Sequence, residues 1–256
     1  MLIDSHIHLD AAEFAADREA LIERARAAGV RGFVVPGVER AGFGDVLALA
    51  AARRDVCPAL GVHPLYVARA TMADLEVLDA HLAAGDAHAV GEIGLDHFVT
   101  DVDPARQLEF FRAQLRLARK HGLPVILHVR RAVDPILREL RRAQVCGGIA
   151  HAFNGSRQQA EVFMALGFKL GFGGAMSYAG STRIRELART LPLSSIVLET
   201  DAPDIPPAWA PHARNLPENL ARYAQVLADL RGIAVEEVGE TTARAASEAL
   251  GGWRPA

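Results

Sequence analysis

The sequence predicts a single (β/α)8 barrel of the TIM type, and three observations favour this fold class. Runs with strand character alternate with amphipathic runs of helical spacing along the whole chain. The 256 residues, half of them hydrophobic, suffice for one large core, and α/β barrels often have this length. No glycine- and serine-rich linker or charge block divides the chain. We therefore expect one domain over residues 1–256, with a doubly wound sheet as the alternative.

Eight runs rich in β-branched and other apolar residues are predicted as strands. They are Leu2 to His6, Gly32 to Val38, Val56 to Gly61, His88 to Ile93, Pro124 to Val129, Gly148 to Ala152, Lys169 to Gly173 and Ser195 to Thr200. The alternation of eight such runs with helices is typical of a closed barrel. A proline-rich stretch, residues 202–217, follows the last strand and is expected to form a lid or wall over the barrel mouth.

Seven amphipathic runs between the strands are predicted as helices. They are Glu13 to Ala28, Gly44 to Arg53, Met72 to Ala84, Pro104 to His121, Val133 to Ala143, Arg157 to Leu166 and Thr182 to Leu191. Gly29, Gly122 and Gly167 follow three of these runs, and glycine is well suited to the left-handed residue that ends a helix. Two further helices, Leu216 to Leu230 and Val235 to Leu250, are expected to close the chain.

Composition restricts the classes of function. A formal net charge of -3 argues against a protein that coats nucleic acid, although a local site for a few nucleotides remains compatible with it. No export signal or membrane-spanning run is found, so we expect a cytoplasmic protein, and nothing indicates an obligate protein partner. Cys57 and Cys146 lie in apolar runs and are expected to be buried thiols in a reducing compartment.

Two histidines at the end of the first predicted strand form the most informative motif. Because residues two apart on a strand point the same way, His6 and His8 can direct two imidazoles at one divalent metal. Four further side chains that can bind metals stand at or near the ends of later strands: Glu92, His128, His151 and Asp201. Chemistry in such barrels lies at the carboxyl ends of the strands. The six side chains therefore predict one site, suited to two ions about 3.5–4 Å apart that share a carboxylate.

The motifs around these side chains resemble those of the TatD-type DNase family of metal-dependent hydrolases. In order they are Ser5-His6-Ile7-His8-Leu9-Asp10, Gly91-Glu92-Ile93-Gly94-Leu95-Asp96, Leu127-His128-Val129-Arg130, His151-Ala152-Phe153-Asn154-Gly155 and Glu199-Thr200-Asp201-Ala202-Pro203. The loop from Asp201 to Pro207 and the segment from Arg214 to Glu218 resemble the YjjV-like branch. This resemblance covers almost the whole chain. It implies a TIM-type barrel that hydrolyses phosphodiester bonds at DNA ends.

The resemblance also implies the metal ligands. One ion would be bound by His6, His8, Glu92 and Asp201. A second would be bound by Glu92, as the bridge, with His128 and His151. Zinc, magnesium and manganese all remain open as the metal. The chain departs from the family at His97, where tyrosine is frequent, and in Ala152-Phe153-Asn154, where Cys-Phe-Ser is frequent; both departures touch the rim where substrate would bind.

Metal-assisted hydrolysis is the mechanism that this ligand set predicts. Bound ions would lower the pKa of a water molecule and polarise a phosphoryl oxygen, while Asp201 would orient the hydroxide or accept its proton. The family pattern favours His63, after the third strand, as a contact to substrate phosphate, and a packed loop histidine is the alternative. Arg130 is expected to bind phosphate through two hydrogen bonds, with an ion pair to a rim carboxylate as the alternative.

A second enzymatic function fits the same ligands. An amidohydrolase or lactonase of small molecules would activate water in the same way against a carbonyl carbon. A non-catalytic metal-binding scaffold is disfavoured, because all six candidate ligands are present. Two more carboxylates are expected near the site: Asp96 as a group that orients a ligand, and Glu199 one layer deeper along the strand than Asp201.

Overall fold

Eight parallel strands follow one another around one sheet in the order of the chain, as described by a computed structural model of residues 1–255. They are β1 (Leu2–Asp4), β2 (Val30–Pro36), β3 (Val56–Leu60), β4 (Ala89–Asp96), β5 (Val125–Arg130), β6 (Gly148–Ala150), β7 (Phe168–Phe172) and β8 (Ile196–Leu198). The Ser5 amide donates to the Leu198 carbonyl across the first and last strands at 3.0 Å. The predicted (β/α)8 barrel is confirmed, and the doubly wound alternative is wrong.

The helices lie on the outside of the barrel where the apolar periodicity predicts them. They are α1 (Arg18–Ala27), α2 (Phe43–Ala52), α3 (Met72–Ala84), α4 (Pro104–His121), α5 (Val133–Ala143), α6 (Arg157–Ala165), α7 (Thr182–Thr190), α8 (Asn219–Arg231) and α9 (Val235–Ala249). Asp103 begins α4 by accepting a hydrogen bond from the Ala105 amide, and Gly122 ends it in the left-handed conformation with φ 64°. Among the described residues, no helix combines the length and the apolar character that a membrane span requires.

Three strands near candidate ligands end earlier than predicted, whereas β4 ends three residues later, so Glu92 lies within β4 and not at its end as expected. β1 ends at Asp4, β6 at Ala150 and β8 at Leu198, so the candidate ligands near these strands stand in the segments that follow them. The backbone after β1 nevertheless bonds to both neighbours, because the Ile7 amide donates to β2 at 3.0 Å while the Ser5 amide donates to β8. The two histidines of the first motif therefore stay close together although they lie beyond the strand.

Two apolar clusters form the core. The larger fills the space between the sheet and the surrounding helices. The smaller joins buried side chains of seven strands to α9, through Ile3, Val34, Cys57, Ala59, Ala89, Ile126, Ile149, Val197, Ala243, Ala245, Ala246, Ala249 and Leu250. α9 contacts β1, β6, β7 and β8, and a Cβ placed on Gly239 would lie 3.2 Å from the Met1 carbonyl oxygen. This helix therefore covers the end of the barrel where the strands begin.

The two cysteines differ in exposure. Cys57 on β3 is buried, and this burial raises the pKa of its thiol. Cys146 is exposed, so the prediction that both thiols are buried is wrong for this residue. It lies in the short surface connection between α5 and β6, where the apolar run has not yet entered the sheet. The proline-rich stretch after β8 contains no regular helix or strand, as expected.

Candidate metal centre

The first group of candidate ligands gathers four donor atoms around one point. His6 Nε2 lies 3.4 Å from His8 Nε2, 3.2 Å from Glu92 Oε2 and 3.5 Å from Asp201 Oδ1. His8 Nε2 completes the group at 3.6 Å from Asp201 Oδ1. Four ligands at about 2.1 Å from a tetrahedral ion lie about 3.4 Å from one another. The donors of this group therefore fit one divalent cation in both type and spacing.

The second group uses the other oxygen of the same glutamate. Glu92 Oε1 lies 2.8 Å from His128 Nδ1, 3.1 Å from His151 Nε2 and 3.4 Å from His63 Nε2. His63 Nε2 and His128 Nδ1 are themselves 3.0 Å apart. Each oxygen of Glu92 thus faces a different set of nitrogens, and the carboxylate joins the two groups. The structure therefore brings all six predicted ligands together and places His63 Nε2 beside the second group.

Local backbone geometry makes room for these side chains. Asp201 and Ala152, in the segments after β8 and β6, have φ of 56° and 45°, in the left-handed region that non-glycine residues seldom adopt. A Cβ on Gly94 would collide with the His128 carbonyl oxygen, and one on Gly171 would collide with the Glu199 carboxylate. Because glycine has no Cβ, β4 can pass close to His128 at Gly94, and β7 can pass close to Glu199 at Gly171.

Asp96 orients His128. Its Oδ2 lies 3.0 Å from His128 Nε2, so that nitrogen can donate a hydrogen bond while Nδ1 keeps a lone pair toward Glu92. The other oxygen accepts hydrogen bonds from the Phe98 and Val99 amides at 2.8 and 3.0 Å. Burial alone would raise the pKa of Asp96, but the hydrogen bonds from His128 and the two amides hold it well below its usual range. The carboxylate therefore stays ionised and is placed to orient the ring, and its role in positioning a metal ligand stays a prediction.

Glu199 is placed beneath His151. Its Oε1 accepts a hydrogen bond from the Ala152 amide and lies 3.7 Å from His151 Nδ1. Within residues 1–255, the buried polar atoms without a hydrogen-bond partner include His6 Nδ1, His151 Nδ1 and Glu199 Oε2. The rings of His6 and His151 are stacked, with centroids 3.9 Å apart. Orphaned buried polar atoms cost stability, and such arrangements are typical of a site built to bind something.

The electrostatics of the site favour cations. Burial would raise the pKa of Glu92, yet the imidazoles of His63, His151 and His6 hold it well below its usual range. Burial would lower the pKa of His8, but Asp201 and Glu92 outweigh it and raise this pKa to about 9. In the metal-free protein His8 is therefore protonated at neutral pH, and a divalent ion can replace this proton.

A cavity of about 810 Å³ opens over the two groups. Both residues predicted to contact substrate line it, His63 and Arg130. His63 is nearly buried, and its Nδ1 accepts a hydrogen bond from the Leu65 amide at 3.2 Å, which turns Nε2 toward Glu92. Arg130 Nη1 is 3.9 Å from Asp96 Oδ2, and half of its side chain is exposed. Contact of these two residues with substrate stays a prediction.

Comparison with known proteins assigns the family. A family model described as TatD related DNase matches residues 3–251. The chain belongs to this family. It is 42% identical over 241 residues to the protein named uncharacterized metal-dependent hydrolase YjjV of Escherichia coli (strain K12), covering 93% of each chain. The crystal structure of the YjjV TatD homologue from that organism superposes with a TM-score of 0.93 at 39% identity, covering 97% of each chain.

More distant relatives of the family carry names that state an activity. The protein named 3'-5' ssDNA/RNA exonuclease TatD of Erwinia billingiae is 32% identical, over 93% of this chain and 94% of its own. The family resemblance predicted from the motifs is therefore confirmed. The sequence analysis missed three exposed side chains that line the cavity: Phe98, Arg131 and Arg183. Arg131 could have been found, because it directly follows Arg130 in the β5 motif, whereas no motif marks the other two.

Proposed function

We propose that this metal-dependent hydrolase cleaves phosphodiester bonds at the ends of DNA, with water activated between two divalent cations. The first cation would be bound by His6, His8, Glu92 and Asp201. The second would be bound by Glu92, His128 and His151. The observation that carries the proposal is that Glu92 directs Oε2 to His6 at 3.2 Å and Oε1 to His128 at 2.8 Å.

The residues of the chain would divide the work as follows. The bound cations would supply Lewis acidity that lowers the pKa of water and neutralises charge on the phosphoryl oxygens. Asp201, with 11% of its side chain exposed to the cavity, would accept the proton of the attacking water. Glu92, with 3% exposed, would keep the two cation sites at a fixed separation. His63 and Arg130 would contact the phosphate, the first from beside the second ligand group and the second from the rim.

Two observations support a phosphodiester over a small amide or lactone. Relatives at 32–33% identity are named as exonucleases of single-stranded DNA and RNA. Three arginines line the cavity above the ligands, Arg130, Arg131 and Arg183, and guanidinium groups bind phosphate in preference to neutral carbonyl compounds. The amidohydrolase and lactonase alternative has no such feature in its favour, and the experiment below tests it.

The proposal is tested with protein that has been stripped by a chelator and reloaded with zinc, manganese or magnesium. The expected result is metal-dependent release of mononucleotides from an end-labelled single-stranded oligonucleotide. A parallel panel of amides, esters and lactones should remain uncleaved. Hydrolysis of a panel compound by metal-loaded protein that leaves the oligonucleotide intact would establish the alternative instead.

A further inference from the structure

One aromatic ring and two guanidinium groups are stacked at the mouth of the cavity. Phe98 is 44% exposed, and the Cζ atoms of Arg130 and Arg131 lie 3.8 and 4.6 Å from the centroid of its ring. Arg183, at the start of α7, lines the same cavity, and its Nη2 donates to Asn154 Oδ1 at 2.7 Å. Cation–π stacking and this hydrogen bond hold long side chains that would otherwise be free in solvent.

The charges of two of these arginines are not neutralised by neighbouring carboxylates. Within residues 1–255, Arg131 and Arg183 take part in no ion pair, whereas Arg130 approaches Asp96. Besides Asp204, the carboxylates that line the cavity belong to the ligand groups or to the orientation of His128: Glu92, Asp96 and Asp201. Two unpaired guanidinium groups that line one cavity supply the charge and the hydrogen-bond donors that suit an anion.

The stack is tied to the ligand groups by a single carboxylate. Asp96 faces His128 with Oδ2 and accepts the Phe98 and Val99 amides with Oδ1. Phe98, and with it the guanidinium of Arg131, is therefore held at a fixed distance from the second ligand group. An anion bound by Arg131 would lie at a constant separation from a phosphate bound over the ligands.

The geometry points to Arg131 and Arg183 as the site for the phosphate next to the scissile one in a single-stranded nucleic acid end, with Phe98 as the support that positions Arg131. This inference rests on the proposed function, and Arg130 is left for the scissile phosphate. A substrate with one phosphate, or with none, cannot use the pair. The pair would therefore select strands that carry at least two phosphates.

Binding is measured first, because it does not depend on turnover. The probe is a fluorescein-labelled hexathymidylate with hydrolysis-resistant phosphorothioate linkages, and the readout is anisotropy with metal-loaded protein. Arg131→Gln and Arg183→Gln should each weaken binding about tenfold. Each should also reduce the slope of log affinity against log salt by about 0.7. Arg116→Gln removes the same charge from the exposed face of α4 and is the matched control, with unchanged binding expected.

Selectivity is measured second, as kcat/KM for hexathymidylate divided by kcat/KM for bis(4-nitrophenyl) phosphate, which has one phosphate. This ratio should fall about tenfold in Arg131→Gln and Arg183→Gln, mainly through KM for the strand. Phe98→Leu keeps apolar bulk but loses the ring, and should lower the ratio by about threefold. Phe98→Tyr keeps the ring, so its ratio should equal that of the native protein.

The outcomes separate this inference from the proposed function. If the two glutamine variants bind the labelled strand as tightly as the native protein, or the native protein does not bind it, the phosphate site is refuted. If the variants lose binding but the native protein hydrolyses neither substrate, the phosphate site stands and the proposed phosphodiesterase fails. Equal losses on both substrates would also refute the site, since the pair would then act on the scissile phosphate.

Discussion

The two ends of the barrel use inward-facing side chains in opposite ways. Along the line of β8, steps of two residues lead from Val197 in the inner apolar cluster, through the buried Glu199, to Asp201 among the candidate ligands. Along β6 the same step leads from Ile149 to His151. One end is closed by the alanines of α9, and the other opens into the cavity.

Within a single strand, the residues on which folding stability depends therefore differ from those on which the chemistry depends. The closed end gains free energy of folding from apolar burial. The open end buries imidazoles and carboxylates, some with unpartnered atoms, and this burial costs free energy of folding. Changes at the closed end should therefore alter the free energy of unfolding, and changes at the open end should alter metal binding and activity.

The largest effect on the open end is expected from Glu92→Gln. An amide cannot bridge two cations with two anionic oxygens, so both sites should lose affinity. Loss of a residue that only hydrogen-bonds to a metal ligand reduces activity by up to about 100-fold. Loss of the shared ligand itself should reduce the rate of hydrolysis by more than this. Elemental analysis and oligonucleotide hydrolysis measure the two effects.

Glu139→Gln is the matched control for this change. Glu139 is also buried, but it lies on α5 and pairs with Arg112 at 2.8 Å, away from the cavity. We expect this variant to keep its metal and its activity and to unfold at a lower temperature. A Glu92→Gln protein with unchanged metal stoichiometry would show that the bridging role is wrong.

The sequence was informative about the fold because burial leaves a periodic signal. Eight apolar runs between amphipathic ones were sufficient to predict the barrel and the positions of the helices. The ends of the strands were less predictable, since hydrogen bonds to both neighbours decide where a ladder stops. Cys146 shows the same limit, because an apolar run can begin at the surface before it enters the sheet.

The candidate site was predictable because residue types that bind metals stand near the predicted strand ends, although His6 lies two residues beyond β1 and Glu92 lies within β4. Periodicity says nothing about ring rotation, so it did not indicate that His63 Nε2 lies 3.4 Å from Glu92 Oε1. It also could not bring Phe98 and Arg183 to one cavity, because Phe98 follows β4 whereas Arg183 lies at the start of α7. The metal-binding roles of the six predicted residues remain predictions, which the variants described here test.

Ile149→Ala tests whether a change at the closed end alters stability without altering metal binding. Ile149 is fully buried in the inner cluster, two residues before His151. Removing its side chain should lower the free energy of unfolding by about 3 kcal/mol, since such truncations leave a cavity. Chemical denaturation measures this loss, and metal affinity and kcat/KM should not change. A tenfold loss of metal affinity would contradict the separation of the two ends.

Asp96→Asn tests the orientation of His128 at the open end. The variant keeps the size of the side chain but removes the charge, so metal affinity should fall by about 10–100-fold. Asp79→Asn is the matched control, because Asp79 also faces a histidine, His121 at 2.6 Å, on the outer helices. Metal titration of both proteins checks the prediction, and equal affinities would refute a positioning role for Asp96.

The smallest effect is a pH dependence of stability that should be present in the metal-free protein and absent from the metal-loaded protein. The pKa of His8 is raised to about 9 in the folded metal-free protein, because the attraction of Asp201 and Glu92 outweighs burial. A histidine whose pKa is raised on folding stabilises the folded state, and this stabilisation is complete at any pH below the unfolded pKa of about 6.5. The stabilisation is lost as the pH rises through 9. The Tm of metal-free protein should therefore fall between pH 6.5 and 9.

Metal binding should remove this trend, because a cation can bind His8 only after its proton has left, and His8 is then unprotonated in both the folded and the unfolded state above about pH 6.5. Affinity should rise about tenfold per pH unit for each proton displaced, and the stabilisation by a fixed metal concentration should rise with it. The gap in Tm between the two forms should thus widen toward pH 9. Scanning calorimetry of both forms measures the gap, and titrations in buffers of different ionisation enthalpy count the protons released. A gap that is constant across this range would show that His8 binds no metal.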